Sequence, residues 1–258
     1  MVKIPKTTQH KMSLFRSSSL STLQSFSHFW PIIAQREPTG RITTRKFVSD
    51  WARRHVNDPY VKQSLKDGYR CRSAYKLIQI QQKFKLFKAG QTVMECGCSP
   101  GSWSQVAAKY INAGQVYDPN QTKGFLVGCD LLKVEEVAGA KLFGNMDFTH
   151  EQSQKVLIEA VENRPFDLVI SDMAPNASGV KTLDHDRLMK LAFQVKDFCL
   201  NHGQIGTSMV IKVWQGNLLD PFVKMLKKNH FQNISLFKPK ASRADSAEVY
   251  IIAQNLKL

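Results

Sequence analysis

The chain has 258 residues, 43% of them hydrophobic, and 36 Lys and Arg against 21 Asp and Glu set a formal charge of +15. That length favours one catalytic-sized domain with a substantial core, and the charge favours nucleic acid over a small acidic metabolite, since each cation that meets a phosphate releases a condensed counterion. Five cysteines, Cys71, Cys96, Cys98, Cys129 and Cys199, form no CxxC pair and no Cys/His ligand spacing, which argues against a disulfide framework or a metal site, and no run nears the roughly 18 apolar residues of a membrane span.

Residues 1–36 hold Lys3, Lys6, Lys11, Arg16 and Arg36, no acid, and many Ser and Thr. This is the composition of a mitochondrial transit peptide and lacks the compact apolar centre of a secretory signal; a basic arm that holds RNA is the competing account. Without those five cations the formal charge of +15 falls only to +10, so the leader is not the whole source of the imbalance. The expected organisation is a leader over residues 1–45 and one domain over 46–258, whose first stretch, 46–90, is basic and helical. From Lys46 to Arg72 cations and rings are interleaved: Lys46, Phe47, Trp51, Arg53, Arg54, His55, Tyr60, Lys62, Lys66, Tyr69, Arg70 and Arg72. Such a mixture suits the phosphates and unpaired bases of RNA, although a solvated basic helix with its rings turned inward reads the same way.

Ser73 is placed to cap a helix in which Ala74, Leu77, Ile78 and Phe84 follow an approximate 3.6 period, with Lys76 on its first turn. Gln91 to Gly97 reads as a strand, followed by Cys98-Ser99-Pro100-Gly101-Ser102 and an amphipathic helix through Trp103, Val106, Ala107, Tyr110 and Ile111 that Gly114 stops. Strand, glycine loop and helix let a nucleotide-like ligand approach backbone N–H groups closely. The loop does not match G-x-G-x-x-G, and a plain strand-to-helix turn explains it equally well. A second strand, Phe125 to Cys129, ends at Asp130, about 30 residues after the loop, where such folds place the acid that binds a ribose. A short third strand is expected from Lys141 to Met146, with Asp147 after it; both acids also suit ordinary caps. Glu151 to Asn163 is expected to be a helix.

Phe166-Asp167-Leu168-Val169-Ile170-Ser171-Asp172, ended by Pro175, reads as a buried parallel strand that delivers a carboxylate at its carboxyl end. Asp184 or Asp186 then opens a long amphipathic helix with Gly203 as its C-cap. Met209 to Trp214 is nearly all apolar apart from Lys212, and a buried lysine is costly unless paired or at a cavity edge. Asp220-Pro221 has the N-cap and N1 pairing of another helix. Two closely spaced strands, Asn233 to Phe237 and Glu248 to Ala253, suggest an antiparallel pair closing a parallel sheet.

Lys76, Asp172, Lys212 and Glu248 therefore stand out: two lysines and two acids can move a proton without a metal. Asp58-Pro59-Tyr60-Val61-Lys62, Arg70-Cys71-Arg72-Ser73-Ala74-Tyr75-Lys76-Leu77, Pro100-Gly101-Ser102-Trp103-Ser104-Gln105, Ser171-Asp172-Met173-Ala174-Pro175-Asn176, Lys212-Val213-Trp214-Gln215-Gly216 and the stretch from Lys238 to Tyr250 occur in this order. With them the chain resembles the FtsJ family of S-adenosylmethionine-dependent ribose 2'-O-methyltransferases over roughly residues 50 to 254. The resemblance implies a Rossmann-like α/β fold: a mostly parallel seven-stranded sheet with an antiparallel strand at one edge and helices on both faces. It implies a catalytic tetrad of Lys76, Asp172, Lys212 and Glu248, and S-adenosylmethionine held by Gly97, Pro100, Gly101, Ser102, Trp103, Asp130, Asp147 and Asp172, with no metal. The expected activity is 2'-O-methylation of a uridine ribose in mitochondrial large-subunit rRNA, by a monomer in the matrix acting on rRNA or a pre-ribosomal particle. A non-catalytic rRNA-binding assembly factor and the same chemistry on tRNA or an mRNA cap are the alternatives. Two departures stand out: Glu95-Cys96-Gly97 replaces an Asp-Leu-Gly, and Cys98-Ser99 with Ser102 replaces the small residues of an Ala-Ala-Pro-Gly-Gly loop. Ser102 is expected to narrow the cofactor's space.

Overall fold

The computed structural model describes residues 56–114 and 116–257. The expected leader and the cations and rings from Lys46 to His55 lie outside the described residues. Short apolar runs bounded by polar or glycine-containing turns supply the strands β1 (Thr92–Cys96), β2 (Phe125–Cys129), β3 (Ala140–Phe143), β4 (Phe166–Ser171), β5 (Gly203–Trp214), β6 (Phe231–Phe237) and β7 (Glu248–Leu256). They form one sheet in the order β3-β2-β1-β4-β5-β7-β6. Neighbours from β3 to β5 are parallel, and β7 runs antiparallel to both β5 and β6. The antiparallel pair thus closes one side, with β6 outermost.

Helices α1 (Pro59–Lys66), α2 (Ala74–Phe84), α3 (Ser102–Tyr110), α4 (Glu151–Ala160), α5 (Lys181–His202) and α6 (Leu219–Asn229) connect and cover the strands. Because successive side chains on a strand point to opposite faces, each central strand feeds two cores. Met94, Val127, Val169, Ile211 and Ile251 pack with Leu157 of α4, Phe198 of α5 and Phe222 of α6. Val93, Leu126, Ile170, Val210 and Tyr250 pack on the other face with Leu77 of α2 and Trp103 of α3. Helices on both faces require parallel strands buried on both sides, which is why β1, β4 and the second half of β5 are almost unbroken apolar runs.

Three helix starts differ from expectation. Ser73 lies in the αR region and makes no cap bond; its hydroxyl is drawn to Ser102 Oγ at 2.8 Å instead. The long α5 begins at Lys181, before either candidate cap. Asp184 instead accepts from Ser178 N and Oγ at 2.8 and 2.6 Å and from Gly179 N at 3.2 Å, tying down the turn ahead of the helix. Similarly α6 begins at Leu219, so Asp220 and Pro221 sit inside its first turn. Ser73 and Asp184 found tertiary or loop partners that outcompeted the local cap, whereas at Asp220 the helix starts one residue earlier.

Candidate active site

Parity along the strands assembles the site. Ile170 and Asp172, Val210 and Lys212, and Glu248 and Tyr250 are each two apart, so on each of β4, β5 and β7 a residue of the α2-side core is followed or accompanied by a polar one on the same face. Lys212 is register partner of Tyr250, and Trp214 of Glu248. Helix α2 lies across that face and brings Lys76 down onto it. The four side chains expected from sequence meet at the carboxyl end of β4 and β5: Lys212 Nζ is 3.0 Å from Asp172 Oδ1, and Lys76 Nζ is 2.7 Å from Glu248 Oε1. Lys212 also donates to the carbonyl of Asp172.

Tyr250 joins the two pairs. Its hydroxyl donates to Asp172 Oδ1 at 2.8 Å, and Lys76 Nζ lies 6.0 Å from its ring centroid. Sequence reasoning passed over this residue, although its place two positions after Glu248 on the same strand face was a usable signal. Burial alone would raise Asp172, but the ammonium groups of Lys212 and Lys76 and the hydrogen bonds from Lys212 and Tyr250 outweigh it and hold the carboxyl below the ordinary carboxylate range. Burial, with Asp172 and Glu248 beside it, pushes the Tyr250 phenol well up, so it remains a donor. The result is a half-buried anion fixed by one ammonium and one phenol.

The glycine loop lies next to this cluster. Gly97 has φ +78, and a Cβ there would fall 2.6 Å from Met173 Cγ, so the ends of β1 and β4 can approach only with glycine at this position. Gly101 is the N-cap position of α3 at φ 105, with no side-chain cap, which leaves the helix's first N–H groups facing the loop. The Ser99–Pro100 peptide is cis. Asp130, at the end of β2, accepts from Ser99 N at 2.9 Å and from Leu132 N at 2.8 Å, and Asp147 accepts from Thr149 N at 2.8 Å. Burial raises Asp147, but its bonds with Thr149 and the neighbouring His150 hold it below the usual carboxylate range. In the order β3-β2-β1-β4 the chain works outward from β1 and then returns to β4, so loop, acids and tetrad all collect at the carboxyl edge around the point where strand order reverses.

Ser102 and Trp103 are each 2% exposed. The Ser102 hydroxyl faces Ser73 Oγ and, at 3.0 Å, Cys71 Sγ, so it packs against the start of α2. Trp103 donates its indole N–H to the carbonyl of Ser73 at 2.9 Å, and its ring lies 5.8 Å from that of Tyr250. Both side chains are committed to the fold, and what they present to the loop is backbone. Glu95 is 1% exposed and bonded by Ser104 Oγ at 2.6 Å.

Residues 69–256 match the family described as FtsJ-like methyltransferase. The chain belongs to that family. Its relatives include the protein named rRNA methyltransferase 2, mitochondrial, of Drosophila melanogaster, 38% identical over 87% of this chain and 89% of the relative. Ribosomal RNA large subunit methyltransferase E of Pseudomonas fluorescens is 40% identical over 79% of this chain and 92% of its own. Among solved structures, one described as a ribosomal RNA methyltransferase from Plasmodium falciparum superposes with a TM-score of 0.62 at 25% identity, covering 73% of this chain and 98% of that one. An FtsJ-like chain is expected to use S-adenosylmethionine, and the residues present suit it: uncapped N–H groups at the start of α3 and acids at the ends of three strands that can accept hydroxyl and amino protons.

Two of the expected RNA contacts are turned inward in this FtsJ-like fold. Arg72 pairs with Asp58 and donates to the carbonyl of Ala241, with only 15% of its side chain exposed. Arg70 donates to three backbone carbonyls. Lys62 and Lys66 of α1 and Lys240 and Arg243 of the loop before β7 remain exposed, and that loop is tied to the start of α2 through Arg72.

Proposed function

We propose that this protein transfers a methyl group from S-adenosylmethionine to a uridine ribose 2'-hydroxyl in mitochondrial large-subunit rRNA. The observation that carries the reading is the meeting of Lys76, Asp172, Lys212 and Glu248 beside a glycine loop at the carboxyl edge of the sheet. The printed names of the fly and bacterial relatives support the ribosomal target, and the composition of residues 1–36 with the fly relative's name supports a mitochondrial location, within which the rRNA target would put it in the matrix.

Gly97, Pro100, Gly101 and the backbone of Ser102 and Trp103 would hold the donor, with Asp130, Asp147 and Asp172 accepting its hydroxyl and amino protons. When bound there, S-adenosylmethionine supplies an electrophilic methyl carbon on a sulfonium. Lys212 would orient the ribose 2'-hydroxyl and, only as the neutral amine left once it has shed its own proton to solvent, accept the hydroxyl proton during methyl transfer. The ribose oxygen becomes strongly acidic only during that event, so the proton is moved late and much of the acceleration comes from alignment. Asp172 keeps Lys212 in place, Tyr250 keeps Asp172 in place, and Glu248 does the same for Lys76.

Lys212→Ala is expected to lower turnover by about 10²–10⁴, the contribution of a lost proton-transfer group, with donor affinity unchanged. Tritiated-methyl transfer to large-subunit rRNA, paired with calorimetry of S-adenosylmethionine binding, reads both quantities. Full activity in the variant would remove Lys212 from the mechanism, and product mapped to a base or to a different RNA would replace the substrate.

A further inference from the structure

Arg70 reaches the carboxyl edge of the sheet from the segment between α1 and α2, and its guanidinium is committed to backbone. Nη1 donates to the carbonyl of Pro100 at 2.7 Å and to that of Glu135 at 2.9 Å, and Nη2 donates to the carbonyl of Glu136. The first carbonyl belongs to the glycine loop after β1, and the other two to the loop after β2. Its own backbone is held as well: Arg70 N donates to Gln105 Oε1 at 3.0 Å, and Gln105 Nε2 donates to the carbonyl of Gly68 at 3.0 Å. A Cβ on Gly101 would lie 2.4 Å from Arg70 Nη1, so the guanidinium occupies the space that any larger residue there would fill.

An arginine bound this way is a poor phosphate ligand, because meeting RNA would first cost three charge-assisted hydrogen bonds. It is well suited to fixing the separation of two loops, since the planar fork presents several donors in rigid geometry and lysine cannot reproduce it. We propose that Arg70 is a positioning residue for the methyl donor: it ties the loop after β1 to the loop after β2 and so presets the donor's cradle. It also connects that cradle to the segment carrying α1, whose exposed cations are the proposed RNA contacts. The inference rests on the reading that this loop holds S-adenosylmethionine.

The test compares wild type, Arg70→Gln and Arg70→Lys by calorimetry with S-adenosylmethionine and by anisotropy with an rRNA hairpin at several salt concentrations. Losing charge-assisted bonds that shape the cradle is expected to weaken donor binding by about 10- to 100-fold in Arg70→Gln. The KM for the donor is expected to rise in step, the RNA affinity and its salt slope to stay unchanged, and Arg70→Lys to recover donor affinity only in part. If Arg70→Gln fails to fold, Arg70→Lys carries the test, since it keeps the charge and loses the fork. Donor affinity equal to wild type in the variants, or a parallel fall in donor and RNA affinity tracking a lowered Tm, overturns the role of Arg70 alone. A wild-type protein that binds no S-adenosylmethionine overturns the proposed function and this inference with it.

Discussion

Glu95 is the residue whose chemistry departs furthest from its sequence neighbours. Strand parity turns it toward α3, where it is sealed from water with Ser104 as its hydrogen-bond donor. Burial pushes its carboxyl up to about 8; the Ser104 bond opposes this, and the charges of Asp172 and Asp130 add to it. At neutral pH it is therefore largely an un-ionised acid beside two anions, a role in which the extra methylene relative to aspartate matters only for reach. The consequence for stability has a definite sign. Between its ordinary value of 4.5 and about 8, the folded chain holds a proton that the unfolded chain has released. Stability therefore falls as pH rises through that window, by at most about 1.4 kcal/mol per unit from this group. Asp172 acts in the opposite sense and only below the usual carboxylate range, where its protonation removes stability. Glu95→Gln, which stays neutral at every pH, is expected to flatten the decline in urea midpoint between pH 5 and 8 and to be the more stable protein at pH 8. Parallel curves for the two proteins would show that Glu95 does not titrate there.

Helix α1 shows how one side chain can hold two elements. Asp58 Oδ1 accepts from Tyr60 N at 2.9 Å as an N-cap ahead of Pro59, and Oδ2 pairs with Arg72 at the entrance to α2. Arg72 continues to the carbonyl of Ala241, and Gln79 Oε1 accepts from Ala241 N at 3.0 Å, so the loop before β7 is stitched to α1 and α2. Asp58→Ala is expected to cost about 1 kcal/mol for the cap and up to about 3 kcal/mol more for an unpaired, mostly buried guanidinium, whereas Asp58→Asn keeps the cap and shows the second part alone. Urea unfolding of both variants separates the contributions; equal losses would mean the cap contributes nothing. Asp58 was visible in the sequence only as part of a motif, because its ion-pair partner Arg72 lies in another element and is itself tied to Ala241. The same distance limit explains the rest of what was and was not legible. The strands followed from apolar runs, while the sheet's overall arrangement came from the family resemblance, and Lys212 announced itself as a charge in one of those runs. Tyr250, Arg70 and Glu95 did not, since their roles depend on which strand or loop faces them, and caps at Ser73 and Asp220 failed because tertiary partners or an earlier helix start displaced the local choice.

At the scale of the molecule, the two edges of the sheet have different chemistry. A depression of about 480 Å³ at the amino edge is lined by Lys85, Lys88, Asp167 and Gly206, far from the loop that follows β1. Another of about 490 Å³ lies beside α1, lined by Tyr60, Arg72, Arg243 and Asp245, on the side from which α2 carries Lys76 to the tetrad. On the proposed reading the ribose meets Lys212 at the carboxyl edge, so productive RNA contacts are expected there even though cations are present at both. Each phosphate contact contributes about 0.7–0.9 to the slope of log affinity against log salt. Changing Lys62, Lys66, Lys240 and Arg243 together to Gln is therefore expected to reduce the magnitude of that slope by about 3, with S-adenosylmethionine affinity unaltered. Changing Lys85 and Lys88 to Gln removes positive charge from the opposite edge and is expected to leave the slope nearly as it was. Anisotropy of an rRNA hairpin from 50 to 200 mM salt reads both, and the reverse result would move the RNA path to the amino edge, where no tetrad waits for the ribose.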